Sequence, residues 1–491
     1  MKTLKKAMSV LVSLLMIFTF ALPAFADSAT TYTITAPATT HQYEIYQIFT
    51  GDLSGDILSN VKWGKNGTDT EGKAVASTII DKLTAVNSKS DREFLNVVEP
   101  CANLNSIPVA TITNGATYSA VAGYYLIKDK DNTVSGADTY TTYIVKVVND
   151  VTISPKGNVP SFEKKVKDTN DTTGATSDWQ DSADYDIGDK VPFKLEGTVA
   201  SNYADYKTYY FAFHDKAEPG LTFNKDSVKV FVDATEITTG YSVVTSTTDG
   251  DTFDVVFDNL KTITDVRADS KITVEYTATL NDKAILGNQG NVNTAHLEFS
   301  NNPNKVHSGS GKPETGNTPD DSVIVFTYQV VVNKTKANGE ALTGAEFTLE
   351  KVLKNGTKET VTVVKNTEGT TFTFKGLDDG DYVLTETVTP ATYNTIEPIR
   401  FTVTADHKIT WNGEARDAIL TSLSGNATSG TADFMPDKTE GSLTTDVVNQ
   451  SGATLPGTGG IGTTIFYVIG GLLMAAAAVL LITKKRMNSD K

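Results

Sequence analysis

From Ile461 to Thr483 the chain runs 23 residues without a charged side chain. A helix of that length crosses the hydrocarbon core of a bilayer. Lys484, Lys485 and Arg486 follow at once and favour the cytoplasmic side. A second apolar run, Met8 to Leu22, lies behind Lys2, Lys5 and Lys6 and ahead of Ala24-Phe25-Ala26. It is short and exits through small residues, the pattern of a secretory signal peptide cut after Ala26. Everything between the two segments is then outside the cell. Cys101 is the one cysteine, so no intramolecular disulfide can staple a domain there. One cysteine and five scattered histidines also argue against a structural zinc centre or a metalloenzyme.

A chain of 491 residues exceeds one hydrophobic core and makes about three domains of ordinary size. Acidic residues outnumber basic ones, 59 to 43, for a formal charge of −16. That balance favours solubility and mutual repulsion. It lacks the clustered Lys and Arg of a nucleic-acid interface. Cys101 reads as a small buried apolar residue.

Residues 27–160 mix strands with some helix. Thr31-Tyr32-Thr33-Ile34-Thr35 alternates as a strand does. Ala76, Ile79, Ile80 and Leu83 recur at helical spacing, and Ser90 with Glu93 has the capping-box pattern. Residues 124–128 and 142–148 return to strand. Residues 161–322 read as β throughout. Segments 191–195, 209–213, 228–232, 253–257 and 272–280 are rich in Val, Thr, Phe and Tyr between Gly, Asp and Asn turns. Repeated short strands of this kind make a sandwich. Ahead of them, 168–189 is rich in Asp, Thr and Ser; its spacing does not fit the standard calcium loop, so it reads as a solvated loop.

Residues 301–321 are rich in Asn, Gly, Pro and Ser and read as a linker or long loop. Residues 323–450 form a third β domain. Within it Asp378-Asp379-Gly380-Asp381 is a hairpin turn signal between 372–374 and 382–384. The expected architecture is mostly β: tandem immunoglobulin-like β-sandwich domains between a signal peptide (1–26) and a terminal segment (451–491) that carries the transmembrane helix.

Leu455-Pro456-Gly457-Thr458-Gly459 stands just before the apolar span. Pro456 fixes a bent, extended segment, and Gly459 leaves room for an attacking group. Pentapeptide, span and basic tail in this order resemble the sorting signal of Gram-positive sortase substrates. The resemblance implies transpeptidation. A sortase cysteine attacks the Thr458 carbonyl, releases Gly459 onward, and passes the acyl group to an amine. A plain single-span protein with a chance Pro-Gly linker is the other reading.

The third domain resembles the B-type repeats of Gram-positive collagen adhesins and pilins. The residues that carry this are Val331-Val332-Asn333-Lys334, Leu342-Thr343-Gly344-Ala345-Glu346-Phe347 and Gly380-Asp381-Tyr382-Val383-Leu384-Thr385-Glu386. In that family a strand lysine bonds covalently to an asparagine on the last strand, helped by a glutamate. The resemblance maps these roles to Lys334, Asn449 and Glu386.

The middle domain is similar to the isopeptide-forming second domain of fimbrial subunits. Its matching pieces are Phe162-Glu163-Lys164-Lys165-Val166, Asp186-Ile187-Gly188-Asp189, His214-Asp215 before Gly220-Leu221-Thr222-Phe223, and Asn293 through Ser300. The implied set is Lys164, Asn293 and Asp215. Lys165 and Asn291 are rivals. Strand parity groups Lys164 with Phe162 and Val166, and Asn293 with Ala295 and Leu297. Asn291 shares the parity of Asn293.

Between the first two domains, Val151-Thr152-Ile153-Ser154-Pro155-Lys156-Gly157 resembles the pilin motif, with Ser154 and Gly157 in place of its Tyr and Asn. The resemblance makes Lys156 the acceptor amine; an exposed linker lysine is the plain alternative. Tyr43-Glu44-Ile45-Tyr46-Gln47-Ile48-Phe49-Thr50-Gly51 also looks like the opening of pilin first domains.

An amine attacks an amide only when neutral. Burial among apolar side chains lowers a lysine pKa. A nearby acid kept protonated by burial can polarise the asparagine carbonyl and shuttle the proton. The fold holds the partners together. No cofactor or metal is needed, and each domain reacts once, so Glu386 and Asp215 would be catalytic only in an autocatalytic sense.

These readings converge on a major pilin, the shaft subunit of a covalent pilus on the cell surface, with Thr458 as donor and Lys156 as acceptor. Its expected partners are a sortase, copies of itself, tip and base pilins, peptidoglycan and host surface ligands. A singly displayed wall-anchored adhesin is the alternative. A secreted enzyme finds no nucleophile-base set: His214 and His296 read as strand histidines, and His41, His307 and His407 as isolated.

Overall fold

The computed structural model describes residues 30–55, 57–86, 91–154, 159–245, 247, 249–305, 314–452 and 461–487. The signal peptide, the Ser90 capping position, His307, Lys156 and the pentapeptide Leu455 to Gly459 lie outside the described residues.

Near the N-terminus, Thr31–Thr35 pairs antiparallel with Thr117–Val121 and parallel with Val151–Thr152. A second sheet is built on Gln42–Ser54, flanked by Ile57–Trp63 and Gly123–Asp129. The helical spacing after Ala76 is realised as the helix Ser77–Val86, with Leu83 buried. This helix and Asp91–Val98 close a core around Phe49, Trp63 and Tyr124. Cys101 is buried in that core.

The middle sandwich has a sheet of Ser182–Asp184, Asp321–Phe326, Asn291–Ser300, Phe211–Ala217, Phe253–Phe257 and Ser242–Val244 in that order. Facing it are Thr235–Ile237, Leu221–Val232, Lys271–Leu280, Lys190–Thr198 and Phe162–Val166. The inner faces alternate as the pleat requires: Phe211 and Phe213 face Phe193, Val274 and Tyr276 across one core. The third sandwich pairs a sheet holding Tyr328–Thr335 and Ser442–Val448 with a sheet holding Glu346–Val352, Gly380–Val388 and Ile399–His407. Its core runs through Val330, Val332, Phe347, Leu349, Phe374 and Leu384.

Three expectations are corrected here. The 301–321 segment is not simply a linker. Thr315–Asn317 pairs with Asn291–Ser300, and Asp321–Phe326 continues the middle sheet. Within that last strand Val323 and Val325 enter the middle core while Ile324 and Phe326 enter the third. Period-two alternation thus lets one strand belong to both cores, and it makes the junction stiff. Second, Thr371–Leu377 and Gly380–Val388 do not form a hairpin. They belong to opposite sheets, so Asp378 and Asp379 mark a crossing between layers. Third, 168–189 is not a solvated loop. Asp181, Ser182 and Asp184 are buried, and Ser182–Asp184 pairs with Asp321–Phe326. Its polar composition serves a contact between domains.

The helix Ile461–Met487 ends in Lys484, Lys485 and Arg486. Phe466, Leu472, Leu473, Leu480 and other apolar side chains are exposed on it. A helix apolar all round, with none of its apolar window buried among the described residues, matches lipid in length and composition.

Candidate functional site: two buried lysine, acid and asparagine sets

Phe162–Val166 lies at a sheet edge and pairs with Lys190–Thr198, placing Lys164 opposite Leu195. Its alternation turns Lys164 inward, where none of it is exposed. Phe211–Ala217 and Asn291–Ser300 pair in the facing sheet, with Asp215 opposite Ala295. Both Asp215 and Asn293 are buried. Lys164 Nζ donates to Asp215 Oδ2 at 2.5 Å and to the Tyr276 hydroxyl at 2.9 Å. Tyr276 donates to the same Asp215 oxygen, and Asn293 Nδ2 donates to Tyr276. Asn293 Oδ1 and Asp215 Oδ1 have no hydrogen-bond partner. The site is thus a tetrad, with Tyr276 joining lysine, acid and asparagine.

The rivals sit elsewhere. Lys165 Nζ pairs with Asp181 at 2.6 Å and Glu163 at 3.0 Å, outside the core. The Asn291 amide is satisfied: it accepts from Ile285 N and donates to the Ile285 and Val325 carbonyls.

In the third domain Tyr328–Thr335 and Ser442–Val448 run parallel, with Lys334 beside Val447. Asn449 follows that strand directly. Lys334 Nζ donates to the Val447 carbonyl at 2.7 Å. Asn449 Nδ2 donates to both Glu386 oxygens at 2.9 Å, and its Oδ1 has no partner. Lys334, Glu386 and Asn449 are all buried.

Burial is the largest influence on both lysines and pushes their pKa values below the ordinary lysine range, against the opposing pull of Asp215 and Glu386. Lys351 is the instructive contrast. It is also buried, and burial again acts downward, but the charges of Asp378 and Asp186 outweigh it and raise its pKa. Lys351 stays an ammonium; Lys164 and Lys334 are moved toward the nucleophilic amine. Among the described residues of the first domain, no lysine is buried.

Tyr276 is the site residue that sequence reading missed. Its signal was available: Ile272, Val274, Tyr276, Ala278 and Leu280 share one face of a strand, and all are buried. A phenol in the middle of such a face needs a polar partner. The histidines are structural contacts. His214 and His296 stack at 4.9 Å, and His214 lies between Asp254 and Glu298. Those acids lift its pKa to about 10 against the downward effect of burial. Two histidines read as isolated are not: His41 holds Asp129 at 2.8 Å, and His407 lies in the domain junction.

Residues 187–303 match the family model of the Gram-positive pilin backbone subunit 2, Cna-B-like domain. Residues 328–415 match SpaA, a prealbumin-like fold domain, and residues 447–489 match the LPXTG cell wall anchor motif. The chain is 26% identical to the trypsin-resistant surface T6 protein of Streptococcus pyogenes serotype M6, over 90% of this chain and 92% of that protein. The solved T6 backbone pilin of that serotype has a similar fold, with a TM-score of 0.54 at 20% identity, covering 87% of this chain and 100% of that one. The full-length major pilin SpaD from Corynebacterium diphtheriae aligns with a TM-score of 0.48 at 17% identity, over 86% of this chain and 98% of that one. Fold, pilin domains and wall anchor define a class: sortase-processed surface proteins of Gram-positive bacteria. Within it the chain is a backbone pilin, the shaft subunit of a covalent, wall-anchored pilus.

Proposed function

We propose that this shaft subunit seals its middle and third domains with intramolecular isopeptide bonds, Lys164 to Asn293 and Lys334 to Asn449, and is polymerised through Thr458 and Lys156. In each domain the lysine Nζ attacks the asparagine Cγ. The new amide joins Nζ to Cγ, and the asparagine nitrogen leaves as ammonia. Asp215 or Glu386 takes the proton from the attacking amine and returns it to the leaving nitrogen. Each domain reacts once, so the chain is a structural protein and not a turnover enzyme.

One observation carries this reading. Both domains between Lys156 and Thr458 bury a lysine, an acid and an asparagine whose carbonyl oxygen has no hydrogen-bond partner; Lys164 is bonded to its acid, whereas Lys334 is held by the Val447 carbonyl and feels Glu386 through its charge. A buried lysine and an unsatisfied amide oxygen cost stability unless something compensates. The bond from lysine Nζ to the asparagine Cγ turns the amine into an uncharged amide. Tension would enter at Lys156 and leave at Thr458, so the two bonds bridge the stressed path and residues 27–155 lie outside it. Tip and base pilins and peptidoglycan are the further covalent partners, and host surface ligands the non-covalent ones.

The test is an immunoblot of wall-released protein after boiling in detergent, comparing the native chain with Lys156→Arg. A high-mass ladder that collapses to one band in the variant supports the linkage. A single band in both would make the chain a singly displayed adhesin.

A further inference from the structure

The junction of the middle and third domains gathers charge. Asp168 and Asp184 come from the middle domain; His407, Asp379 and Tyr328 come from the third. All are partly or fully buried. His407 Nδ1 lies 2.6 Å from Ser182 Oγ, which also lies 2.6 Å from the Lys408 carbonyl. A carbonyl only accepts, so the single hydroxyl proton goes to Lys408. His407 must then donate from Nδ1, which directs Nε2 at the two carboxylates.

Nε2 stands 3.5 Å from Asp168 Oδ2 and 3.8 Å from Asp184 Oδ1. Both exceed a good hydrogen bond. All three ligand atoms lie within 4.8 Å of one another. Zinc bonds of about 2.0–2.2 Å in tetrahedral geometry place neighbouring ligand atoms about 3.4 Å apart. The gap therefore has the size of an ion's coordination shell, and the Ser182 contact is the outer-shell bond that orients a metal-binding imidazole.

A second observation points into the same space. The Tyr328 hydroxyl is fully buried and makes no hydrogen bond of good geometry; Asp184 is the carboxylate it approaches. After burial, the charges of Asp184, Asp379 and Asp168 are what act on it most. Asp378 Oδ2 is buried and unpartnered in the same junction. Asp184 Oδ2 is held by the Asp379 amide at 3.2 Å, which leaves Oδ1 to face the histidine.

We propose that His407 Nε2, Asp168 and Asp184 bind one divalent transition-metal ion that clasps the middle domain to the third. One imidazole with carboxylates favours zinc-like ions over calcium or magnesium. The remaining positions are open to water and to the Tyr328 hydroxyl. The competing occupant is a proton on Nε2: the two carboxylates lift the His407 pKa to about 10, against the downward effect of burial. The site is independent of the isopeptide chemistry and was not visible in the sequence, where His407 lies far along the chain from the two aspartates.

The exported chain, purified in detergent and stripped with chelator, is titrated with zinc chloride by calorimetry. Metal content is then measured after desalting. The expected result is one zinc per chain, bound at least tenfold more weakly by His407→Gln and by Asp168→Asn. His214→Gln, which alters the other histidine and aspartate cluster, should bind as the native chain does. Circular dichroism verifies that each variant is folded; if His407→Gln is not, Ser182→Ala replaces it and should also weaken binding about tenfold. No retained zinc, equal binding by the junction variants, or loss in His214→Gln would overturn the proposal.

Discussion

The Tyr276 hydroxyl lies 2.5 Å from Asp215 Oδ2, the same oxygen that holds Lys164 Nζ at 2.5 Å. One carboxylate oxygen thus receives both the attacking group and the phenol that holds the Asn293 amide. Lys164, Tyr276, Asp215 and Asn293 are positioned by two strands from each face of the sandwich, before any bond forms.

Tyr276→Phe should slow the middle-domain reaction without abolishing it. The variant keeps the ring packing against Phe193 and Phe253 and removes only the hydroxyl. The contacts of the hydroxyl with Lys164, Asp215 and Asn293 are lost together, and a net loss of about 1 kcal/mol in the transition state corresponds to a roughly fivefold slower reaction. A mass time course after rapid refolding reads the rate. An unchanged rate would leave Tyr276 as packing alone.

Glu386→Ala should leave the third domain open. Asn449 loses both of its acceptors, and no acid remains to move the proton. The chain keeps one more ammonia, and its third domain loses about 5 kcal/mol by the loop-entropy argument for a long closed loop. Urea denaturation measures that loss.

The same variant gives a pH prediction. Burial holds the Lys334 pKa below its usual 10.5, and removing Glu386 removes the charge that opposes this. Between the folded and unfolded pKa values the unfolded chain binds more protons, so stability rises with pH up to about 10.5. Denaturation midpoints of Glu386→Ala should climb from neutral pH toward that value more steeply than those of Glu386→Ala with Lys334→Met. Parallel curves would count against a titrating buried amine.

Lys351→Met should uncouple the middle and third domains. Lys351 Nζ holds Asp171 at 3.0 Å and Asp186 at 2.5 Å, and it also bonds Asp378. Its removal leaves three carboxylates facing one another, at a cost of about 3–5 kcal/mol. Calorimetry should then resolve two transitions for the variant against one for these domains in the native chain.

The sequence was most informative where one strand faces one core. Period-two alternation placed Lys164 and Asn293 inward, the family resemblance singled out Lys334, and all three are buried. It failed where residues answer to two neighbours. The sequence pattern divides Asp321–Phe326 between the linker and the third domain, whereas its two faces serve both the middle and the third domain. The acid-rich stretch before Lys190 looked solvated because its partners, Lys351 and His407, lie far along the chain. Asp378 and Asp379 carried turn chemistry, but turn composition does not say whether the chain returns to the same sheet or crosses to the other.

The most direct test of the central claim is the intact mass of the exported chain, followed by peptide mapping. The account predicts a mass short by two ammonias, with Lys164 joined to Asn293 and Lys334 to Asn449. Lys164→Ala and Lys334→Ala should each restore one. A native mass equal to that of the unmodified sequence would contradict it.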